Sequence, residues 1–80
     1  MEFNQYNTTV QQWIHTVLEN RETNADVVLE CCRDIIAYGR ETDDPKLTGF
    51  GFFYGGEIYY ELNDGAHFFH MMTEALTYLD

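Results

Sequence analysis

Hydrophobic positions near the start of the chain recur at the spacing of an α-helix. Five apolar side chains at positions i, i+3, i+4, i+7 and i+8 form one stripe: Val10, Trp13, Ile14, Val17 and Leu18. Thr8 and Gln11 match the ends of a capping box, which favours a helix start. The pattern therefore predicts a first helix from about Thr9 to Asn20.

A second helical stripe follows after a short polar break. Thr23 or Asn24 can cap its start, and Gly39, directly after Tyr38, is a typical helix stop. Its predicted buried face consists of Val28, Leu29, Cys32, Ile35 and Ile36. The next segment, Arg40 to Lys46 (RETDDPK), has no apolar residue, and its Asp-Pro pair disfavours helix, so we expect a loop.

The pattern changes between Gly49 and Leu62, GFGFFYGGEIYYEL, which is rich in aromatic residues and holds four of the six glycines. A Gly-Gly pair between two apolar runs is typical of a two-residue turn, and it predicts a β-hairpin centred on Gly55 and Gly56. In that register one face carries Phe53, Ile58, Tyr60 and Leu62. The other carries Phe50, Phe52, Tyr54 and Tyr59, bordered by Glu57 and Glu61.

The last segment again has helical spacing. Asn63-Asp64-Gly65 predicts a turn, and a third helix is expected from Ala66 to Leu79, with the apolar stripe Phe68, Phe69, Met72, Ala75, Leu76 and Leu79. The prediction is a single α+β domain covering residues 1–80, in the order α-α-β-β-α, with three helices packed on a two-stranded antiparallel hairpin. Phe3 and Tyr6 are expected to pack as a lid.

Charge adds a constraint on partners. The net charge is -10, with 14 acidic residues against 4 Lys and Arg, so there is no basic patch to bind nucleic acid directly. A partner chosen by charge should be basic. Carboxylates form a predicted ridge on the second helix and two smaller groups in the loop and the hairpin: Glu22, Asp26, Glu30 and Asp34; Asp43 and Asp44; Glu57 and Glu61.

Residues with catalytic or metal-binding chemistry are few. His67, His70 and Glu74 share one helix face and could hold a divalent ion, with His15 as a further ligand, but they equally suit a solvated polar flank. Cys31 and Cys32 are adjacent in a helix, where their side chains diverge, so we expect two reduced core thiols. No motif indicates an enzyme or a cofactor.

Cellular location is predicted from what the sequence lacks. No apolar run approaches 18 residues, and the first residues carry no basic and apolar signal pattern. We therefore expect a cytoplasmic protein without membrane contact.

In length, charge and its acidic ridge, the chain resembles the small acidic inhibitors of bacteriophages and mobile elements, including anti-CRISPR and DNA-mimic anti-restriction proteins. The resemblance implies a non-enzymatic inhibitor that binds a nucleic-acid-binding protein. We expect docking on a basic surface through the carboxylates, with Phe50, Phe52, Tyr54 and Tyr59 as anchors. Two alternatives remain: a regulatory module that homodimerises through the hairpin, and a metal-binding domain using His67, His70 and Glu74.

Overall fold

The computed structural model describes residues 5–79, and within that range the chain forms four α-helices and no strand. The helices are α1 (Thr8–Asn20), α2 (Ala25–Glu41), α3 (Pro45–Glu61) and α4 (Gly65–Leu79). Helix α1 packs on α2, α2 on α3, and α3 on α4. Helices α2 and α3 are therefore the centre of the domain, and α1 and α4 are its outer layers. The α+β prediction is wrong.

The three predicted helices are confirmed, with shifted ends. Helix α1 begins one residue early and is capped by Asn7, whose side chain accepts the N–H of Val10 at 2.9 Å. Asn24 caps α2 as expected. Gly39 does not stop α2, which continues to Glu41. The predicted loop shrinks to residues 42–44, because its first two residues belong to α2 and its last two to α3.

The predicted hairpin is helix α3. Its start is fixed by Asp44, whose carboxylate accepts the N–H of Leu47 at 3.1 Å, and by Pro45 in the first helical turn. An acidic cap followed by proline is a favourable helix start, because proline has no N–H to satisfy there and its φ suits a helix. The same Asp-Pro pair that argued against a helix at this point therefore begins one.

Glycines in α3 serve close packing rather than turning. A Cβ at Gly51 would lie 2.7 Å from Ile36 Cγ1 and 3.1 Å from the carbonyl oxygen of Cys32, so α2 lies directly against the backbone there. On the other side, the side chains of α4 cover Gly49 and Gly56. Glycine weakens a helix by about 1 kcal/mol relative to alanine, and here burial between two neighbouring helices offsets that cost.

The N-caps of α2, α3 and α4 recur every 20 residues, at Asn24, Asp44 and Asp64. Each accepts the N–H three residues further on, at 3.1–3.3 Å. Asp43 and Asn63, which precede the last two caps, have positive φ values of 55° and 60°. This left-handed residue closes the preceding helix while the next residue caps the following one.

The core lies mainly between α1, α2 and α3. Its fully buried side chains are Val10, Ile14, Val17, Val28, Cys32, Ile35, Leu47, Thr48 and Ile58. Tyr6, just before α1, packs against this core and donates a hydrogen bond to the Asp44 carboxylate at 2.9 Å. Phe3, the other residue of the predicted lid, lies outside the described residues. Among residues 5–79 no helix is long and apolar enough to cross a membrane.

Candidate functional site

The four aromatic residues predicted to form one exposed face do not do so. Phe50 and Phe52 are only 9% and 4% exposed and belong to the interior. Tyr54 is half-buried beneath the Arg21 guanidinium, which lies 5.0 Å from its ring centre, and Tyr59 is half-buried as well. Successive side chains turn by about 100° in a helix, so the alternation that a strand would give is lost. The hairpin surface predicted for homodimerisation is therefore absent from the fold.

The histidine-rich helix face is engaged in local contacts. His67 stacks on the ring of Tyr59, with ring centres 4.7 Å apart, and its Nδ1 lies 2.8 Å from an Asp64 carboxylate oxygen. The carboxylate of Glu74 lies 3.9 Å from the Arg40 guanidinium. His70 is exposed, and the fourth candidate, His15, lies in α1 beside Glu19. The described residues contain no group of three His, Cys, Asp or Glu side chains arranged to hold a metal ion.

The two cysteines are free, as the sequence predicts. Cys32 is buried, and this burial raises the pKa of its thiol to about 12. Cys31 is half-buried, and its pKa is also raised, first by burial and then by the nearby carboxylates of Asp34 and Glu30. Both thiols are therefore protonated at neutral pH, and a protonated thiol is a poor nucleophile.

The predicted acidic residues separate into two places. Glu22, Glu57 and Glu61 line a cleft of about 520 Å³ between the α1–α2 turn and the C-terminal half of α3. Asp43 and Asp44 follow the other end of α2, about 25 Å away along a 17-residue helix. Asp44 is also occupied as an N-cap, so these two residues form a structural turn separate from the cleft.

Arg21 forms an ion pair across the cleft. The Arg21 guanidinium donates two hydrogen bonds to the Glu57 carboxylate, from Nε at 2.9 Å and from Nη2 at 3.0 Å. This bidentate pair holds the α1–α2 turn against α3 and neutralises Glu57. Glu22 and Glu61 are exposed and have no ion-pair partner among the described residues. One positive and three negative side chains leave the cleft with a charge of -2.

Of the predicted ridge, Glu22 lies at this cleft and the other three carboxylates lie on α2. Ala25 lines the cleft, whereas the ridge carboxylates Asp26, Glu30 and Asp34 do not; they are exposed, at four-residue spacing, and start in the first turn of α2. None of the three forms an ion pair within the described residues. We call the combined set the acidic surface: Glu22, Asp26, Glu30, Asp34 and Glu61.

A second surface was missed by the sequence pattern. The apolar stripe predicted for the last helix includes Phe69 and Leu76, yet these two side chains are 72% and 74% exposed. The signal was present in the width of that stripe. Together with Met71, which lies next to that stripe, the apolar side chains between Phe68 and Leu79 span roughly 160° of the helix surface at 100° per residue, while α3 is the main packing partner of α4.

The candidate site is thus a set of carboxylates that have no ion-pair partner among residues 5–79 and that include two at an open cleft; the exposed apolar side chains of α4 are not among the residues that line it. Carboxylates in this arrangement can accept hydrogen bonds from Lys and Arg side chains of a partner. In comparisons with protein-family models, curated proteins and solved structures, the chain has no match.

Proposed function

We propose that this chain is a non-enzymatic binding protein that docks through its acidic surface on the basic surface of a nucleic-acid-binding protein and inhibits it. The observation that carries the proposal is a series of exposed carboxylates without an ion-pair partner in residues 5–79: Glu22 and Glu61 at the cleft, and Asp26, Glu30 and Asp34 on α2. A basic surface that holds a polyanion also attracts such a series. Occupying that surface keeps nucleic acid out.

The strength of this docking comes from the number of charges. A single exposed ion pair contributes about 0.2–1 kcal/mol, which is too little to hold two proteins together. The five carboxylates of the acidic surface can form several such pairs at once. The net charge of -10 adds a long-range attraction that speeds encounter with a basic partner and is screened by salt. The arginine Arg33, exposed on α2 beside the ridge, reduces the local charge but leaves the carboxylates in excess.

The cleft supplies the specific part of the contact. A Lys or Arg side chain of the partner would enter between Glu22 and Glu61, while the Arg21–Glu57 pair keeps the wall in place. The cleft takes the place of the aromatic anchors that the sequence predicts, since Phe50 and Phe52 are buried.

The test compares two double variants of equal net charge. Glu22→Gln with Glu61→Gln removes both unpaired carboxylates of the cleft, and Glu41→Gln with Asp43→Asn removes two exposed carboxylates at the far end of α2. Each changes the net charge from -10 to -8. The probe is a purified basic DNA-binding protein that wild type retains on a column at low salt, with affinity measured by titration calorimetry.

The cleft variant should bind the probe about fivefold to tenfold more weakly than wild type, since two exposed ion pairs contribute about 1–1.4 kcal/mol. The far-end variant should lose less than about twofold, because its carboxylates lie away from the cleft and act only through long-range attraction. Wild-type affinity should fall with salt, and duplex DNA should compete. Equal losses in both variants, or an affinity that does not change with salt, would refute docking through the cleft.

A further inference from the structure

Five large apolar side chains lie exposed on one side of the last two helices. We call this set the α3–α4 apolar face: Phe53, Tyr60, Phe69, Leu76 and Leu79, which are 38%, 63%, 72%, 74% and 45% exposed. Exposed apolar side chains are ordinary when scattered singly, but a contiguous group on a small domain is typical of an interaction surface.

The contacts between α3 and α4 make this group contiguous. Leu79 lies over Gly49, which is one helical turn before Phe53 on the same side of α3. The ring of Tyr60, two turns after Phe53, lies 5.3 Å from the ring of Phe68 on α4. The exposed side chains of the two helices therefore flank one shared seam.

Charge indicates what covers this face. Its five residues are uncharged in a chain with a net charge of -10, and Glu74, the single Asp, Glu, Lys or Arg between Gly65 and Leu79, is directed at Arg40 of α2. A basic partner is drawn to the acidic surface and gains no electrostatic attraction here. Two copies of this chain repel each other elsewhere, and at this face they meet without placing carboxylates together.

The spacing on α4 also suits a second copy. Phe69, Met72, Leu76 and Leu79 follow intervals of three, four and three, the heptad spacing of helices that pack side by side. In an antiparallel pair with its two-fold axis beside Met72 and Thr73, Phe69 of each copy meets Leu76 of the other. Such a contact is self-complementary, as a two-fold dimer requires.

The available area is close to what a dimer needs. If a fully exposed large side chain presents about 150–200 Å², the exposed fractions of Tyr60, Phe69, Leu76 and Leu79 amount to roughly 800–1,000 Å² over two copies. A specific interface buries at least about 1,000–1,200 Å² in total. Adjoining parts of Phe53, Met72 and Thr73 bring the face into that range.

From these observations we propose that two copies of this chain form an antiparallel homodimer through the α3–α4 apolar face. The acidic surface stays exposed in such a dimer because it is built from α2, the α1–α2 turn and the carboxylate of Glu61. Dimerisation does not depend on the proposed docking function.

Oligomeric state gives the first test. Sedimentation equilibrium over a range of concentrations should give a mass approaching twice the 9.4 kDa of the single chain. Phe69→Lys or Leu76→Glu alone should weaken association at least about tenfold, because each places an unpaired charge against an apolar side chain. Both residues are more than 70% exposed, so the monomer should fold, with unchanged helical circular dichroism.

Charge pairing tests the orientation. In a mixture of Phe69→Lys with Leu76→Glu, an antiparallel dimer joins the introduced lysine of one copy to the introduced glutamate of the other. It also retains one Phe69–Leu76 contact, so association should recover. A mixture of Phe69→Glu with Leu76→Glu is the control and should remain monomeric, because two like charges then meet.

Two results would overturn the proposal: a wild type that stays at 9.4 kDa, or a charge-paired mixture that associates no better than the control. The variant with Glu22→Gln and Glu61→Gln should dimerise normally, since neither carboxylate belongs to the α3–α4 apolar face. Its behaviour separates failure of dimerisation from failure of docking.

Discussion

At Gly39 the helices α2 and α3 pack so closely that even the methyl group of alanine should destabilise the fold. In Gly39→Ala the new methyl group would lie 2.9 Å from the backbone nitrogen of Thr48 and 3.1 Å from its Cα, with the Thr48 hydroxyl closer still. A side chain can rotate away, but a backbone nitrogen moves only if the two helices separate. Because Gly39 and Thr48 are both buried, separation would loosen the core around them.

The magnitude follows from two opposing effects. Alanine in a helix is more favourable than glycine by about 0.5–1 kcal/mol when nothing opposes it. Overpacking a close-packed interior costs about 1–3 kcal/mol, and a clash with backbone belongs at the upper end. We expect Gly39→Ala to lower the free energy of unfolding by about 1–2 kcal/mol, which for a domain of this size lowers the melting temperature by roughly 5–15 °C.

The chain contains matched controls for this substitution. A Cβ at Gly65 meets nothing within 4 Å, so Gly65→Ala should stabilise the protein by up to about 1 kcal/mol. At Gly56 the nearest atoms are the end of the flexible Met72 side chain, at 3.1 Å, and Met71 Cβ, at 3.2 Å, both farther than the Thr48 backbone nitrogen is from Gly39, so Gly56→Ala should destabilise less than Gly39→Ala. Urea unfolding followed by circular dichroism measures all three. If Gly39→Ala is as stable as Gly65→Ala, the α2–α3 packing described above is wrong.

Two further predictions concern ionisable groups near the core. Cys31 should react with a thiol reagent in the native protein, whereas buried Cys32 should react only as fast as the domain opens. Mass spectrometry of the labelled peptides measures both rates, and equal rates in the native protein would contradict the burial of Cys32. Burial and the hydrogen bond to Asp44 raise the pKa of Tyr6 to about 12, above the unfolded value of about 10, so the folded state retains the proton longer. Stability should therefore fall as the pH rises from about 10 towards 12, and Tyr6→Phe should remove that part of the decline in pH-dependent urea unfolding.

For helices with one buried and one solvated face, the sequence was sufficient to predict the helix and its approximate ends. The apolar stripe at Val10, Ile14 and Val17, the cap Asn24 and the turn Asn63-Asp64-Gly65 predicted α1, α2 and α4 to within a few residues, because amphipathic periodicity, capping and turn chemistry are local properties. The exposed position of the ridge carboxylates follows from the same periodicity.

Helix α3 could not be recognised in this way. It is enclosed by α2 on one side and α4 on another, so apolar residues and glycines occupy most of its circumference and no single stripe marks its period. Glycine is rare in helix interiors and common in turns, so Gly55 and Gly56 indicated a turn when considered alone. Only the neighbouring helices, which leave no room for a Cβ at Gly51, explain why glycine is required there.

The same distinction between local and long-range information applies to the candidate surfaces. Composition and spacing by themselves determined an acidic domain with a carboxylate ridge on its second helix, since net charge and helical phase need no knowledge of distant contacts. The tertiary structure decided that Glu22 and Glu61, far apart in the sequence, face one cleft, that Arg21 neutralises Glu57, and that Phe69 and Leu76 remain uncovered. Each of these depends on which helix lies beside which, and that arrangement is set by long-range packing rather than by local sequence.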